Sequence, residues 1–185
     1  MNSYKTLIFL VFAIFMGSAS AQKKFDQNSY FELGYSTMTY SDTSANLKPT
    51  GIRGIYGQNT SENLGWEGLL GLGMNEDTAT FTQGTVGLKI GTVFGLYGKA
   101  YLKPSDSFEI FGRLGYASVS RDTTCAPVAN CTAASAKETG GGISYGTGVK
   151  FEVSKNISII GDYMSYYNKN SISINATTLG VSYGF

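Results

Sequence analysis

Ten charged residues alternate with apolar side chains through the body of the sequence, and they are the groups best suited to acid–base chemistry. Five are acidic and five are basic: Glu32, Arg53, Glu67, Lys89, Lys99, Glu109, Arg113, Lys150, Glu152 and Asp162. Two of the carboxylates could in principle act as a general acid and a general base. The chain contains no histidine, however, and equal numbers of opposite charges favour a structural network of ion pairs over a catalytic site.

The N-terminal residues have the features of a secretory signal peptide. Lys5 supplies a positive charge, an apolar run follows from Thr6 to Met16, and an Ala-x-Ala cleavage pattern ends at Ala21. The alternative is a membrane anchor, but the apolar run is shorter than the roughly 20 residues that span a bilayer. We therefore predict a signal peptide over residues 1–21 and an exported domain over residues 22–185.

The composition excludes several classes of partner. Once Lys5 leaves with the signal peptide, 13 basic and 13 acidic residues remain, so no excess of positive charge favours nucleic acid. Glycine occurs 24 times, tyrosine 13 times and phenylalanine 11 times. This composition is unusual for a soluble domain of about 164 residues, and no helix of useful length is visible after Gln22.

The two cysteines, Cys125 and Cys131, lie close together in the sequence CAPVANC. Exported proteins meet oxidising conditions, so we predict that they form a disulfide. Closing so short a loop contributes only about 2 kcal/mol in the chain-entropy model, so the bond shapes a loop rather than determining the fold. No histidine or further cysteine is available to complete a metal site, and we expect neither a metal nor another cofactor.

Eight segments after residue 22 alternate between apolar and polar residues. They are Ser29–Tyr40, Thr50–Gly57, Leu64–Met74, Thr85–Lys103, Ser107–Ser120, Ile143–Val153, Ile157–Tyr167 and Ile172–Phe185. Most are long enough for a tilted strand to cross a bilayer. Long connections (Ser41–Pro49, Asn75–Gly84 and Arg121–Gly142) alternate with short ones, although the last, Asn168–Ser171, departs from this pattern. The pattern predicts an all-β fold, an eight-stranded antiparallel up-and-down transmembrane β-barrel.

The face on which the charges lie distinguishes a membrane barrel from a soluble one. Leu70, Leu88, Leu114 and Val149 lie near the middle of their strands on the apolar face, and the ten charged residues lie on the other face. A soluble lipocalin-like barrel has the reverse arrangement, with apolar residues inside. We therefore assign the apolar face to lipid and the charged face to the lumen, where glycines leave room for long side chains.

Several sequence motifs resemble one known family. RLGY at Arg113–Tyr116, SYGTGVKFEV at Ser144–Val153, DYMSYY at Asp162–Tyr167 and the end of the chain are similar to the OmpA/OmpX-like outer membrane β-barrel family. The resemblance implies a stand-alone barrel in the bacterial outer membrane, without an appended peptidoglycan-binding domain. It also implies that outer-membrane assembly machinery recognises the closing strand through Leu179, Val181, Tyr183 and the terminal Phe185.

The expected function is non-enzymatic. Outer-membrane barrel enzymes such as lipid A deacylases and palmitoyl transferases use a histidine as a base, and this chain has none. We expect a structural or surface-interaction protein, a monomer in contact with outer-membrane lipid, whose external loops form the contact surface for a possible external ligand. The alternative is a small-solute pore, which an interior filled by paired charges would oppose.

Overall fold

The computed structural model describes residues 29–42, 46–81, 84–125, 136–169 and 171–185, and these ranges form ten strands. The strands are β1 (Ser29–Ser41), β2 (Asn46–Leu47), β3 (Thr50–Asn59), β4 (Leu64–Gly73), β5 (Asp77–Phe81), β6 (Gly84–Ser105), β7 (Phe108–Cys125), β8 (Ala136–Ser154), β9 (Ile157–Lys169) and β10 (Ile172–Gly184). Within these ranges, no helix is both long enough and apolar enough to cross a bilayer. The predicted signal peptide lies outside the described residues.

Eight of the strands form a closed antiparallel barrel. Each pairs with its neighbours in the order β1, β3, β4, β6, β7, β8, β9 and β10. The barrel closes because β10 also pairs with β1, in a register that runs from Tyr30 opposite Gly184 to Ser41 opposite Ser173. The eight-stranded, all-β, up-and-down barrel predicted from the sequence is therefore confirmed.

The two ends of the barrel differ in the length of their connections. At the short-turn end, tight turns follow β3, β6 and β8, and the two ends of the sheet meet where the Phe185 amide donates to the Ser29 carbonyl at 2.9 Å. At the opposite end, here called the hairpin end, three strands extend well beyond the ends of the other strands. β6, β7 and β8 contain 22, 18 and 19 residues, about twice the 9–11 residues that cross a bilayer.

Much of what the sequence indicated as loop at the hairpin end is paired strand. β2 lies within the predicted loop Ser41–Pro49, and β5 lies within the predicted loop Asn75–Gly84. Arg121 and Asp122 pair with Glu138 and Lys137, so both flanks of the predicted loop Arg121–Gly142 extend the β7–β8 hairpin. The outward-facing residues of those segments are polar. The segments therefore lack the apolar–polar alternation by which a strand is recognised in a sequence.

The outer surface of the barrel carries a band of apolar side chains. On β8 the outward apolar residues run from Ile143 to Val153, the span that a tilted strand needs to cross hydrocarbon. Aromatic residues border this band at the short-turn end (Trp66, Phe151, Tyr183 and Phe185) and at the hairpin end (Tyr35, Tyr116, Tyr145 and Tyr163). An apolar band between two aromatic girdles is the surface of a barrel surrounded by lipid.

Candidate functional site: the barrel interior and the hairpin-end sheet

Arg113 lies inside the barrel and binds three carboxylates. Its Nη2 donates to Glu32 Oε2 at 2.8 Å, and its Nη1 donates to Asp162 Oδ2 at 2.6 Å. Nε donates to Glu67 Oε2, and Nη2 donates to Glu67 Oε1 at 3.2 Å. The side chain is fully buried because Arg113 alternates on β7 with the lipid-facing Leu114. The planar guanidinium can satisfy three acids from different strands because its five donors point in fixed directions.

Arg53 extends this network from the other side of Asp162. Its Nη1 and Nη2 donate to Asp162 Oδ1 and Oδ2 at 2.9 Å and 2.5 Å, forming a bidentate pair. Asp162 therefore lies between two arginines, Arg53 on β3 and Arg113 on β7. Arg53 Nη1 also lies 3.4 Å from the hydroxyl of Tyr166, a second acceptor on β9. The pairs join opposite walls across the lumen, so the network fills the barrel as well as neutralising its charges.

Two inward-facing glycines make room for aromatic rings. Gly57 lies between Tyr30 and Glu67 in the strand register, and the Tyr30 hydroxyl reaches over it to donate to Glu67 Oε1. A Cβ atom at Gly57 would lie 2.2 Å from Tyr30 Cζ, so no other residue fits without displacing the ring. Gly148 has the same role under Phe111, whose Cζ would lie 2.5 Å from an added Cβ. Glycines in the lumen thus accommodate rings as well as long charged side chains.

Lys99 occupies an aromatic enclosure next to the arginine network. Its Nζ lies 2.7 Å from Glu109 Oε1, and both side chains are almost completely buried. The same Nζ lies 4.7 Å from the ring centre of Tyr30 and 5.0 Å from those of Tyr101 and Phe111. Because ring faces stabilise a nearby ammonium group, this charge is held by one carboxylate and three aromatic rings.

Two predicted lumen residues lie at the mouth of the short-turn end instead of in the network. The Lys150 side chain is partly buried with its Nζ 4.5 Å from the centre of the Tyr30 ring. Glu152 is exposed, next to a shift in register that ends the β8–β9 ladder at Ser154. Neither residue forms an ion pair within the described part of the chain. Both line a small polar pocket of about 100 Å³ that opens at this mouth.

The structure contradicts the assignment of Lys89 to the lumen and of Leu88 to the lipid face. The register between β6 and β7 shifts between Ile90 and Val93, so residues before the shift have the opposite orientation to residues after it. Leu88 is 3% exposed and packs inside, whereas Lys89 lies partly exposed on the other face. At the shift the Thr92 amide donates to Ser120 Oγ at 2.7 Å, which replaces a missing ladder bond.

An apolar cluster fills the interior at the hairpin end, and sequence analysis missed it. Its members include Met38, Leu47, Leu88, Ile90, Val93, Val119, Met164, Tyr166 and Ile174. The interior is therefore divided into a charged level near the short turns and an apolar level above it. Met38 and Tyr40 continue the alternation that places every second side chain of β1 inside the barrel, and this was the available signal. The register shift in β6 and the unrecognised strand β2 hid the rest of the cluster.

Polar contacts hold the sheet that projects from the hairpin end. Arg121 donates from Nε to Glu138 Oε2 at 2.9 Å, and the Lys48 amide donates to Asp77 Oδ2 at 2.7 Å. The Tyr40 hydroxyl donates to an Asp42 carboxylate oxygen at 3.2 Å. Burial, with a further contribution from the charge of Asp42, raises the pKa of Tyr40, which keeps its hydroxyl protonated as a donor.

The remaining predicted site residues lie at the edges of the described structure. The predicted disulfide falls mostly outside the described residues: Cys125 ends β7, and residues 126–135, which include Cys131, are not described. In the closing strand, Leu179, Val181, Tyr183 and Phe185 all face outward, with exposed fractions between 50% and 68%. They belong to the apolar band, and their role in assembly stays a prediction.

The fold and its filled interior define a class of protein. A closed barrel with an apolar outer band, two aromatic girdles and charged residues inside is an integral membrane β-barrel. The family model described as "Outer membrane protein beta-barrel domain" matches residues 7–185, and the chain belongs to that family. The protein is therefore located in the bacterial outer membrane. By the connectivity of such barrels, the short-turn end is periplasmic and the hairpin end is extracellular.

Solved structures share this fold at low sequence identity. The attachment invasion locus protein Ail of Yersinia pestis is 16% identical with a TM-score of 0.61, over 85% of this chain and 98% of that chain. Neisserial surface protein A is 13% identical with a TM-score of 0.60, over 85% and 97%. The N-terminal β-barrel domain of Pseudomonas aeruginosa OprF is 12% identical with a TM-score of 0.52, over 83% and 97%. Another structure of Ail is a complex with the heparin analogue sucrose octasulfate. No curated protein matches the sequence.

Proposed function

We propose that this protein is a non-enzymatic surface-interaction protein whose extracellular sheet is the contact surface. The observation that carries the proposal is the projection of β6, β7 and β8 beyond the apolar band. β7 continues for nine residues after Tyr116, which corresponds to about 30 Å of extended chain outside the membrane. A barrel that served only as a membrane anchor would not need strands of this length.

The edge of the projecting sheet offers main-chain groups to a partner. β8 pairs with β7 along most of its length, but its pairing with β9 begins only at Tyr145. Residues 137–144 of β8 therefore have no strand partner on the β9 side within the described ranges. An exposed strand edge favours contact with an extended polypeptide, which can add to the sheet through main-chain hydrogen bonds.

The charge of the extracellular region also favours a polypeptide over a polyanion. The described residues above the apolar band include five bases and five acids: Lys48, Lys89, Arg121, Lys137, Lys169, Asp42, Glu76, Asp77, Asp122 and Glu138. Residues 126–135 carry no charge. A heparin-like ligand such as the one bound to Ail requires clustered positive charge, and this balanced surface does not supply it.

The contents of the interior argue against the two competing functions. Candidate acids and bases such as Glu67 and Asp162 are fixed by arginines and lie in a closed lumen, so these two carboxylates are not free to reach a substrate. A pore needs a continuous water-filled path, whereas the charged network and the apolar cluster occupy successive levels of the lumen.

The proposal is tested by removing the outer part of the β7–β8 hairpin without disturbing the barrel. In the shortened variant a tight turn replaces residues 121–138, so that Ser120 and Thr139, which are already paired, flank the new turn. Bacteria displaying wild-type protein should attach to protein-coated surfaces better than bacteria displaying the shortened variant. The matched control is Lys103→Ala near the periplasmic turn, which an external partner cannot reach. Equal outer-membrane levels of all three proteins are verified by heat-modifiable migration on gels.

Two results would overturn the proposal. The first is attachment by the shortened variant at the wild-type level. The second is a steady ohmic conductance of the wild-type protein in planar bilayers, which would identify it as a small-solute pore.

A further inference from the structure

β8 and β9 cease to pair at the extracellular end of the barrel. Their last paired residues are Tyr145 and Ser165, and beyond them β9 pairs only with β10 within the described ranges. A shift in register between β9 and β10 at the same point leaves Tyr166 without an opposite residue. The Ser144 hydroxyl donates to the Ser165 carbonyl at 2.7 Å, in place of a bond between the two main chains. A gap in the ladder therefore begins just above Tyr145.

The inner face of β8 has an unfilled position in this gap. Gly142 faces the interior opposite Ala117 on β7, and a Cβ atom added to it would meet no atom within 4 Å. Gly140, two residues nearer the hairpin tip, is covered by the ring of Tyr167, which would lie 2.9 Å from an added Cβ. The open position between the Tyr167 ring and Ser144 is here called the Gly142 notch.

The surroundings of the notch are apolar. Ala117 and Val119 lie opposite Gly142 and Gly140 on β7, and both are buried members of the apolar cluster. Tyr167 packs against the same cluster. A side chain that enters the notch from the free edge of β8 would therefore meet carbon atoms, and a large apolar side chain would gain most from burial there.

We propose that the extracellular contact surface binds an extended polypeptide segment by strand addition to residues 137–144 of β8, with one large apolar side chain of that segment in the Gly142 notch. This inference rests on the proposed function and adds the chemistry of the partner. A strand that pairs with β8 directs every second side chain inward, so its residue beside Gly142 points towards the notch. On the outer face the Tyr116 hydroxyl already covers Gly141, where it would lie 2.3 Å from an added Cβ. A lipid or a sugar is a poorer occupant, since neither continues the main-chain hydrogen bonds of a sheet edge.

Binding of short peptides to the protein in lipid nanodiscs, measured by fluorescence anisotropy, tests the proposal. The probe peptide alternates valine with threonine and has phenylalanine at its centre, on the valine face. A comparison peptide with aspartate at the centre should bind at least about tenfold more weakly, because burial of one large apolar side chain supplies about that much affinity. A second comparison peptide, N-methylated throughout, cannot donate main-chain hydrogen bonds and should not bind.

A variant of the protein tests the notch itself. Gly142→Leu fills the notch from within the barrel and should weaken binding of the phenylalanine peptide at least about tenfold. The matched control is Gly161→Leu, which adds the same side chain at another open glycine, between Val149 and Leu179 on the lipid face. The control should bind the peptide as the wild type does, and heat-modifiable migration shows that each variant has folded.

Three results would overturn the proposal. Equal binding of the phenylalanine and aspartate peptides, or undiminished binding by Gly142→Leu, would mean that no apolar side chain of the partner enters the notch. Undiminished binding of the methylated peptide would exclude strand addition. In each case, loss of attachment by the variant shortened at residues 121–138 would still support the proposed function. Attachment by that variant at the wild-type level would instead overturn the proposed function and, with it, this inference.

Discussion

Replacing Arg113 with methionine tests whether the buried network holds the barrel together. Methionine keeps an unbranched apolar stem but removes the donors to Glu32, Glu67 and Asp162. Asp162 would keep its bidentate pair with Arg53, and Glu67 would keep the Tyr30 hydroxyl. Glu32 would lose the ion pair that it makes with Arg113.

The expected cost follows from burial and charge balance. Four acids (Glu32, Glu67, Glu109 and Asp162) and three bases (Arg53, Lys99 and Arg113) are buried in the interior, and Lys150 at its mouth balances the fourth acid, so the variant leaves three bases for four acids. Removing one partner of a buried ion pair costs about 3–5 kcal/mol, because the remaining charge is left uncompensated. We expect the free energy of unfolding to fall by that amount.

Urea unfolding of the refolded protein in lipid vesicles measures this loss. Trp66, the single tryptophan of the chain, lies on the lipid face at 43% exposure, so its emission reports departure from the membrane. The matched control is Arg121→Met: Arg121 also binds a carboxylate, but its partner Glu138 is largely exposed. Such a pair contributes at most about 1 kcal/mol.

A compensating variant separates lost charge balance from lost packing. Adding Glu67→Gln to Arg113→Met restores equal numbers of acids and bases and keeps an acceptor for Tyr30. The double variant should regain about 1–2 kcal/mol relative to Arg113→Met alone. A loss below about 1 kcal/mol in the single variant, or a double variant that is less stable than the single one, would refute the role of the network.

Three further predictions concern the membrane face, the lumen and the end of the chain. Leu114→Arg should lower the free energy of unfolding in lipid by about 2–4 kcal/mol because it places a charge in the apolar band; an unchanged urea midpoint would contradict the assignment of this face. Gly115→Ala should lower the urea midpoint, because its Cβ would lie 1.9 Å from the Leu96 carbonyl oxygen, whereas Gly142→Ala, with open space, should not. Deleting Phe185 should reduce the amount of protein in the outer membrane much more than the stability of barrels already formed; a pulse-chase fractionation that finds normal outer-membrane levels would count against its role in assembly.

The architecture was predictable because lipid imposes one strict period on the sequence. Residues such as Leu70, Leu114 and Val149 must face hydrocarbon, and every second residue then faces the lumen. Above the apolar band this constraint ends, since water covers the outside of the extended strands. The outward side of the β7–β8 hairpin there is polar, with Asp122 and Lys137 paired across it, and the sequence accordingly resembles a loop.

The site was predictable only where the alternation is unbroken. Arg53, Arg113 and Asp162 lie on strands that keep one register through the lumen. Their positions in the alternation of apolar and polar residues are therefore enough to place them inside. Lys89 was wrongly placed because the register shift near Gly91 has no marker that distinguishes it from other glycines of the strands. Which carboxylate binds which arginine depends on the stagger between strands that are distant in sequence, and local patterns contain no information about that stagger.

The division of the interior into two levels has a consequence for how this protein can evolve. Closure of the membrane-spanning part depends on side chains from the charged level, whereas the hairpins emerge from the apolar level above it. Insertions, deletions and substitutions in the extracellular hairpins therefore need not disturb the charged network between the membrane-spanning strands. A lineage can thus diversify its exposed surface while the interior of its membrane-spanning part stays constant.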